Sequence, residues 1–89
     1  MTDITTGIPV TVRYFAAAAA AAGRDSATIT LPVGSTIHDA IRELSDQSDQ
    51  MALVMQKCSY LCDGVAVRDR DVVLRAHQTL DALPPFAGG

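Results

Sequence analysis

The sequence predicts a small α+β domain: a mixed sheet of four to five strands, one long helix packed on one face, and a short helix after the first strand. Three observations lead to this class. Segments 8–15, 27–31 and 79–83 alternate apolar and polar residues, as half-buried strands do. Segment 37–44 carries an apolar stripe with helical spacing. The chain has 89 residues, of which 48% are hydrophobic, enough for one domain with its own core.

Composition and charge exclude several function classes. A net charge of −3 without a basic run argues against nucleic acid as a partner. No apolar run reaches the roughly 20 residues that span a bilayer, so we expect no membrane association. The apolar segment 8–22 has no basic flank and is interrupted by Arg13, unlike an export signal. With two cysteines and no such signal, we expect free thiols and a cytoplasmic location.

The first predicted strand has one unusual residue on its polar side. Its apolar face carries Ile8, Val10, Val12 and Tyr14. Phe15 falls on the opposite face with Arg13, where polar side chains are expected. Seven alanines, 16–22, follow and end at Gly23, which predicts one or two helical turns held by packing.

The second strand leads into the long helix. Ala27 to Leu31 alternate again, and Pro32-Val33-Gly34 is typical of a turn. Ser35 or Thr36 is the predicted N-cap, with Asp39 three residues after Thr36 in a variant of the capping box. The apolar stripe of the helix then consists of Ile37, Ala40, Ile41 and Leu44.

The middle of the chain is only partly determined by its pattern. Residues 45–50 are polar and end the helix, and the apolar patch 51–55 fits either a helix or a strand. Residues 58–62 alternate as a strand, and Asp63-Gly64 predicts a hairpin into 65–67. Residues 72–74 fit a short strand or a packed loop.

The last strand, 79–83, ends at two prolines. Leu80 and Ala82 are expected to face the core and Leu83 the other side, and Pro84 and Pro85 cannot donate to a sheet ladder. The order of strand, short helix, strand, long helix and two to three strands is that of a β-grasp, or ubiquitin-like, domain. We therefore expect a flexible N-terminus (1–7), a β-grasp domain (8–85) and a flexible tail (86–89).

No catalytic constellation can be named in this chain. Within one strand Cys58 and Cys62 would lie roughly 13 Å apart, too far for a disulfide, and both are expected to face the core. His38 and His77 are too scattered to complete a metal site with them, so no metal is expected. The glycines form no phosphate-binding loop. Chemistry at this protein therefore has to come from another enzyme.

Four motifs together resemble the MoaD family, the small sulfur-carrier subunit of molybdopterin synthase. They are Val12-Arg13-Tyr14-Phe15-Ala16, Leu31-Pro32-Val33-Gly34-Ser35-Thr36, Asp63-Gly64 and the terminal Leu83-Pro84-Pro85-Phe86-Ala87-Gly88-Gly89. The likeness covers about residues 8–89. The Gly-Gly ending is weak evidence alone and becomes fairly specific after Pro-Pro at the end of a β-grasp pattern.

The resemblance implies that the chain is a non-catalytic sulfur donor with no bound cofactor. The terminal carboxylate of Gly89 would be adenylated by a MoeB-like enzyme that uses ATP in trans, then converted to a thiocarboxylate with sulfur from a sulfurtransferase or cysteine desulfurase. The slim stem of Gly88 and Ala87 would enter a MoaE-like large subunit, with Phe86 at its entrance. There the sulfur would pass to cyclic pyranopterin monophosphate.

The resemblance also implies that partner proteins dock on the sheet face opposite the helix. Alternation places Phe15, Leu61 and Leu83 there, where they would form an apolar patch. The alternative interpretation is that they are isolated surface residues, which are common.

Two departures from the family pattern leave the partner open. Ala19-Ala20 stand where an Arg-Glu pair is common, and Gln78-Thr79 replace the usual acidic turn. Other functions compatible with the same tail are sulfur transfer for thiamine, cysteine or tRNA thiolation, and a ubiquitin-like modifier joined to lysines through Gly89. A plain interaction module with an incidental tail is a further alternative.

Overall fold

The computed structural model describes residues 7–85 as a five-stranded mixed sheet with three helices on one face. The elements in chain order are β1 (Gly7–Tyr14), α1 (Ala17–Ala22), β2 (Ser26–Pro32), α2 (Ile37–Ser45), α3 (Asp49–Lys57), β3 (Ser59–Cys62), β4 (Val65–Ala66) and β5 (Thr79–Leu83). The predicted β-grasp class is confirmed. The first strand begins at Gly7, which the sequence assigned to the flexible N-terminus (1–7). Residues 1–6 of that segment and the predicted tail 86–89 lie outside the described residues.

The sheet has the strand order β2-β1-β5-β3-β4. The central strands β1 and β5 pair in parallel, with Val12 opposite Leu80 and Arg13 opposite Asp81. The other neighbours are antiparallel. The first and last strands of the chain therefore lie side by side at the centre of the sheet.

One face of the sheet, the inner face, forms the core with the helices. It contributes Val10, Val12, Tyr14, Tyr60, Leu80 and Ala82, each at most 4% exposed. The helices contribute Ala18, Ile37, Ala40, Ile41, Leu44, Met51 and Met55. Burying each large aliphatic side chain contributes roughly 1.5–3 kcal/mol. The alternation predicted for β1 and β5 is confirmed.

Local sequence signals account for most element boundaries. Thr36 caps α2 and forms the capping box with Asp39, as predicted. Gly23, at φ 74°, ends α1 in the left-handed conformation. Asp63 and Gly64, at φ 50° and 82°, form the predicted hairpin turn, in which both residues need positive φ.

The apolar patch 51–55, whose sequence pattern fits either a helix or a strand, lies in the third helix, α3. Met51 and Met55, four residues apart, are buried on one side of α3, and the Ser48 side chain accepts a hydrogen bond from the Met51 amide at 3.0 Å. The helical layer thus contains two helices of nine residues, α2 and α3, in place of one long helix. Residues 72–74 form a packed loop with a single bridge between Val73 and Thr36 and a buried Leu74.

Candidate functional site

The chain is held in the domain as far as Pro84. β5 ends at Leu83, and Pro84 is buried while Pro85 is exposed, as expected for prolines that terminate a strand. The predicted tail residues Phe86, Ala87, Gly88 and Gly89 lie outside the described part of the chain, and their roles stay predictions. Pro85, the last described residue, lies two residues beyond Leu83, where the central strand β5 ends.

We define the open face as the sheet surface opposite the inner face, and it brings together the three predicted docking residues. Leu61 lies opposite Asp81, and Leu83 is its diagonal neighbour on β5, a spacing of about 7–8 Å. Phe15 follows the Tyr14–Ala82 pair by one residue, and its amide donates to the Ala82 carbonyl at 3.3 Å. Phe15 is 38% exposed, whereas Leu61 and Leu83 are half-buried.

An unusual backbone conformation at Ala16 turns the chain directly after Phe15, the residue that follows β1. Ala16 has φ 49° and ψ −123°, a region that is unfavourable for residues with a Cβ. The turn lets the Ala18 amide donate to the Phe15 carbonyl at 2.9 Å and starts α1. The Phe15 side chain is thereby left at the edge of the open face instead of continuing the strand.

An ion pair that was not predicted from the sequence lies at the centre of the open face. Arg13 Nε donates to Asp81 Oδ1 at 2.7 Å, and Arg13 Nη2 donates to Asp81 Oδ2 at 2.9 Å. The Asp81 side chain is only 5% exposed, whereas that of Arg13 is 54% exposed. The hydrogen bond and charge of Asp81 raise the pKa of Arg13 further above its usual value, so the guanidinium stays charged.

The pair cannot be predicted from the sequence because its two residues are 68 positions apart. Each residue lies on the outward side of its own strand, where a charged side chain predicts only exposure to solvent. The pairing of Arg13 with Asp81 can be inferred only once β1 and β5 are known to be neighbours and their register is known. Arg13 also lies over Phe15, with its Cζ 5.5 Å from the ring centroid, which links the charged pair to the apolar patch.

The cysteines lie in the core layer and away from the open face. Cys58 caps the end of α3, whereas the sequence suggested that it begins a strand, and it is 5% exposed. Cys62 is half-buried and packs against the core. Burial raises the pKa of both thiols. Both are free thiols, and the raised pKa favours the protonated form, which is the poorer nucleophile.

Other features of the described chain add no chemistry to this surface. A cavity of 420 Å³ between the end of β2 and α2 is lined by Asp39, Arg42 and Glu43, and the Asp39 carboxylate is already used in the capping box. Within residues 7–85, no three His, Cys, Asp or Glu side chains are grouped as metal ligands would be. No helix in that range is long and apolar enough to cross a membrane.

The fold is that of a ubiquitin-like domain with an exposed sheet face, and the sequence ends in Gly88-Gly89. The sequence matches the model of the ThiS family over residues 12–89, which include both terminal glycines. The chain belongs to the ThiS family. No curated protein matches it in sequence.

Solved structures of related fold include carriers and modifiers. A Pyrococcus furiosus protein assigned as molybdopterin converting factor subunit 1 is 24% identical, with a TM-score of 0.80 over 89% of this chain and 99% of that one. Small archaeal modifier protein 1 of Methanosarcina acetivorans is 20% identical, with a TM-score of 0.79 over 93% and 98%. The complex of molybdopterin-converting factor subunits 1 and 2 from Helicobacter pylori contains a chain 16% identical to this one, with a TM-score of 0.67 over 92% and 100%. At these identities, the likeness shows the fold.

Proposed function

We propose that this protein is a cytoplasmic sulfur carrier of molybdenum cofactor biosynthesis, the small subunit of a molybdopterin synthase. The observation that carries the proposal is the ThiS family match, which extends through Gly88 and Gly89. The similar fold of a molybdopterin converting factor subunit 1 supports this pathway. The chain binds no cofactor of its own in this proposal.

The chemistry takes place at the carboxylate of Gly89. A carboxylate is a poor acyl donor, so an adenylating enzyme first joins it to the α-phosphorus of ATP and releases pyrophosphate. Hydrosulfide then displaces AMP and leaves a thiocarboxylate. A persulfide from a sulfurtransferase or cysteine desulfurase reaches the same product through an acyl disulfide that a thiol reduces. Gly88 and Ala87 form a stem narrow enough for both active sites.

The large subunit of the synthase is the proposed docking partner for the open face. A relative of similar fold is named as one half of a two-subunit converting factor. Here Phe15, Leu61 and Leu83 lie on one side of the sheet, and β5 leads directly into the tail. A partner that covers this face therefore receives the tail close to its contact surface, with Phe86 at the entrance to its active site.

Reconstitution of the synthase tests the proposal. The chain carrying a thiocarboxylate at Gly89 is mixed with the large subunit and cyclic pyranopterin monophosphate, and molybdopterin is measured. We expect product in proportion to thiocarboxylate, and none from a chain that lacks Gly89 but unfolds at the same temperature. Product from the shortened chain would contradict the mechanism.

A second candidate is a ubiquitin-like modifier joined to lysines through Gly89. The similarity to small archaeal modifier protein 1 favours it. In this case activated Gly89 forms isopeptide bonds, and AMP leaves as the amine attacks. Mass spectrometry of trypsin-digested cell proteins would find lysines that carry the peptide 76–89, because Arg75 is the last trypsin site before the terminus. Lys57 is the only lysine of the chain itself, so Lys57→Arg separates conjugation to the carrier from conjugation to other proteins.

Carriers for thiamine, cysteine or tRNA thiolation share the same first step. They differ in the enzyme that accepts the sulfur. Transfer of the thiocarboxylate sulfur to a thiazole, cysteine or tRNA acceptor in place of the pyranopterin would assign the chain to one of those pathways.

A further inference from the structure

The ion pair on the open face is fixed by the fold. Arg13 and Asp81 are directly opposite each other on the two central strands, and two hydrogen bonds join them. This two-pronged geometry is the strong form of an arginine–carboxylate contact. The guanidinium is therefore held in one orientation before any partner arrives, which lowers the entropy lost on binding.

Only one member of the pair is available to a partner. The Asp81 carboxylate is 5% exposed and already accepts two hydrogen bonds, whereas 54% of the Arg13 side chain is exposed. Arg13 has five N–H donors, and two nitrogens, Nε and Nη2, face Asp81. No described residue accepts a hydrogen bond from Nη1. The exposed edge of the pair is consequently positive.

Docking on the open face would bury this edge. Leu61 is the direct neighbour of Asp81 on β3, and the Phe15 ring lies beside the Arg13 guanidinium. A partner that covers these apolar side chains also removes water from the guanidinium. Removing water from charged N–H groups without an acceptor is costly, so an apolar surface alone fits this face poorly.

We propose that Arg13, held by the buried carboxylate of Asp81, is a specificity-determining contact that pairs with an aspartate or glutamate of the large subunit. This inference rests on the proposed function for the identity of the partner. Asp81 is a positioning residue, because it acts only through Arg13. The chain thereby distinguishes a partner with an acidic group at this place from one with an apolar or basic surface.

The test is the dissociation constant of the complex with the large subunit, measured by calorimetry for the double variant Arg13→Leu/Asp81→Leu. The substitution leaves the net charge of the chain unchanged and replaces an ion pair by apolar side chains, a change that proteins often tolerate. The matched control is Arg42→Leu/Asp46→Leu, which removes the same two residue types from exposed positions at the end of α2.

We expect the double variant to bind roughly tenfold more weakly, equivalent to about 1.4 kcal/mol, and the control to bind like the wild type. If apolar contact alone drove docking, the double variant would bind more tightly than the wild type, because the substitutions make the open face more apolar. Affinity of the wild type should also fall more steeply with salt than that of the variant. Equal or tighter binding by the variant would overturn the inference.

Two further measurements keep the result unambiguous. Thermal unfolding establishes that the double variant is folded. Arg13→Lys keeps the positive charge but loses the fixed fork, so it should weaken binding in the same direction, and thermal unfolding establishes that it too is folded. If the wild type itself fails to bind the large subunit, the proposed function is refuted and this inference falls with it. Binding by the wild type with no loss in either variant refutes the inference alone.

Discussion

Replacing Phe15 by serine should weaken the complex with the large subunit about 20-fold. An aromatic side chain presents about 200 Å², and Phe15 keeps 38% of its surface exposed in the domain. Full coverage by a partner would remove about 75 Å² from water, which at about 25 cal/mol per Å² contributes about 2 kcal/mol. A factor of ten in affinity corresponds to about 1.4 kcal/mol.

The measurement is the dissociation constant of the complex by calorimetry, with Leu53→Ser as the control. Leu53 is 61% exposed on α3, on the opposite side of the sheet, so its loss removes more exposed apolar surface without touching the open face. Thermal unfolding of both variants identifies any loss of the domain itself. Unchanged affinity in Phe15→Ser, or an equal loss in both variants, would refute the open face as the docking surface.

Three further predictions concern the domain itself. Hydrogen bonds from the Thr36 backbone and side chain lower the pKa of Asp39 in the folded state, so its contribution is complete above about pH 4 and is lost as the pH falls through the folded pKa. Asp39→Asn should therefore lower the free energy of unfolding at pH 7, and the free energy of the variant should decrease less than that of the wild type as the pH is lowered. The same pH dependence in both proteins would contradict this. Ala16→Gly should stabilise the domain by about 1 kcal/mol in urea unfolding by relieving the positive φ, whereas Ala20→Gly in α1 should destabilise it by a similar amount. Because burial raises the pKa of Cys58, its alkylation in the folded domain should need a higher pH than the alkylation of a solvent-exposed cysteine. Alkylation at the same rate as an exposed cysteine would contradict the burial of Cys58.

Much of the fold could be predicted because its signals are local. The stripe and capping box of α2 and the Asp63-Gly64 turn each depend on residues within a few positions of one another. The third helix could not be assigned because 51–55 are apolar without a gap, which hides the helical spacing of Met51 and Met55. Its clearest signal was Ser48, which caps the helix.

The open face could be predicted only in part. Alternation places Phe15, Leu61 and Leu83 away from the core, and the structure has them there. The burial of Asp81 could not be read from the sequence, because it depends on the parallel pairing of the first and last strands. Local patterns describe which side of a strand faces the core but not which strands are neighbours.

Transfer of sulfur to Gly89 is tested most directly by intact-mass spectrometry. The chain is incubated with ATP, an adenylating enzyme of the MoeB type and a sulfur donor, and a chain without Gly89 serves as the control. If Gly89 accepts sulfur, the mass increases by the difference between sulfur and the oxygen it replaces, at the C-terminal residue and only with ATP. An unchanged mass with every activating enzyme of the host would contradict it.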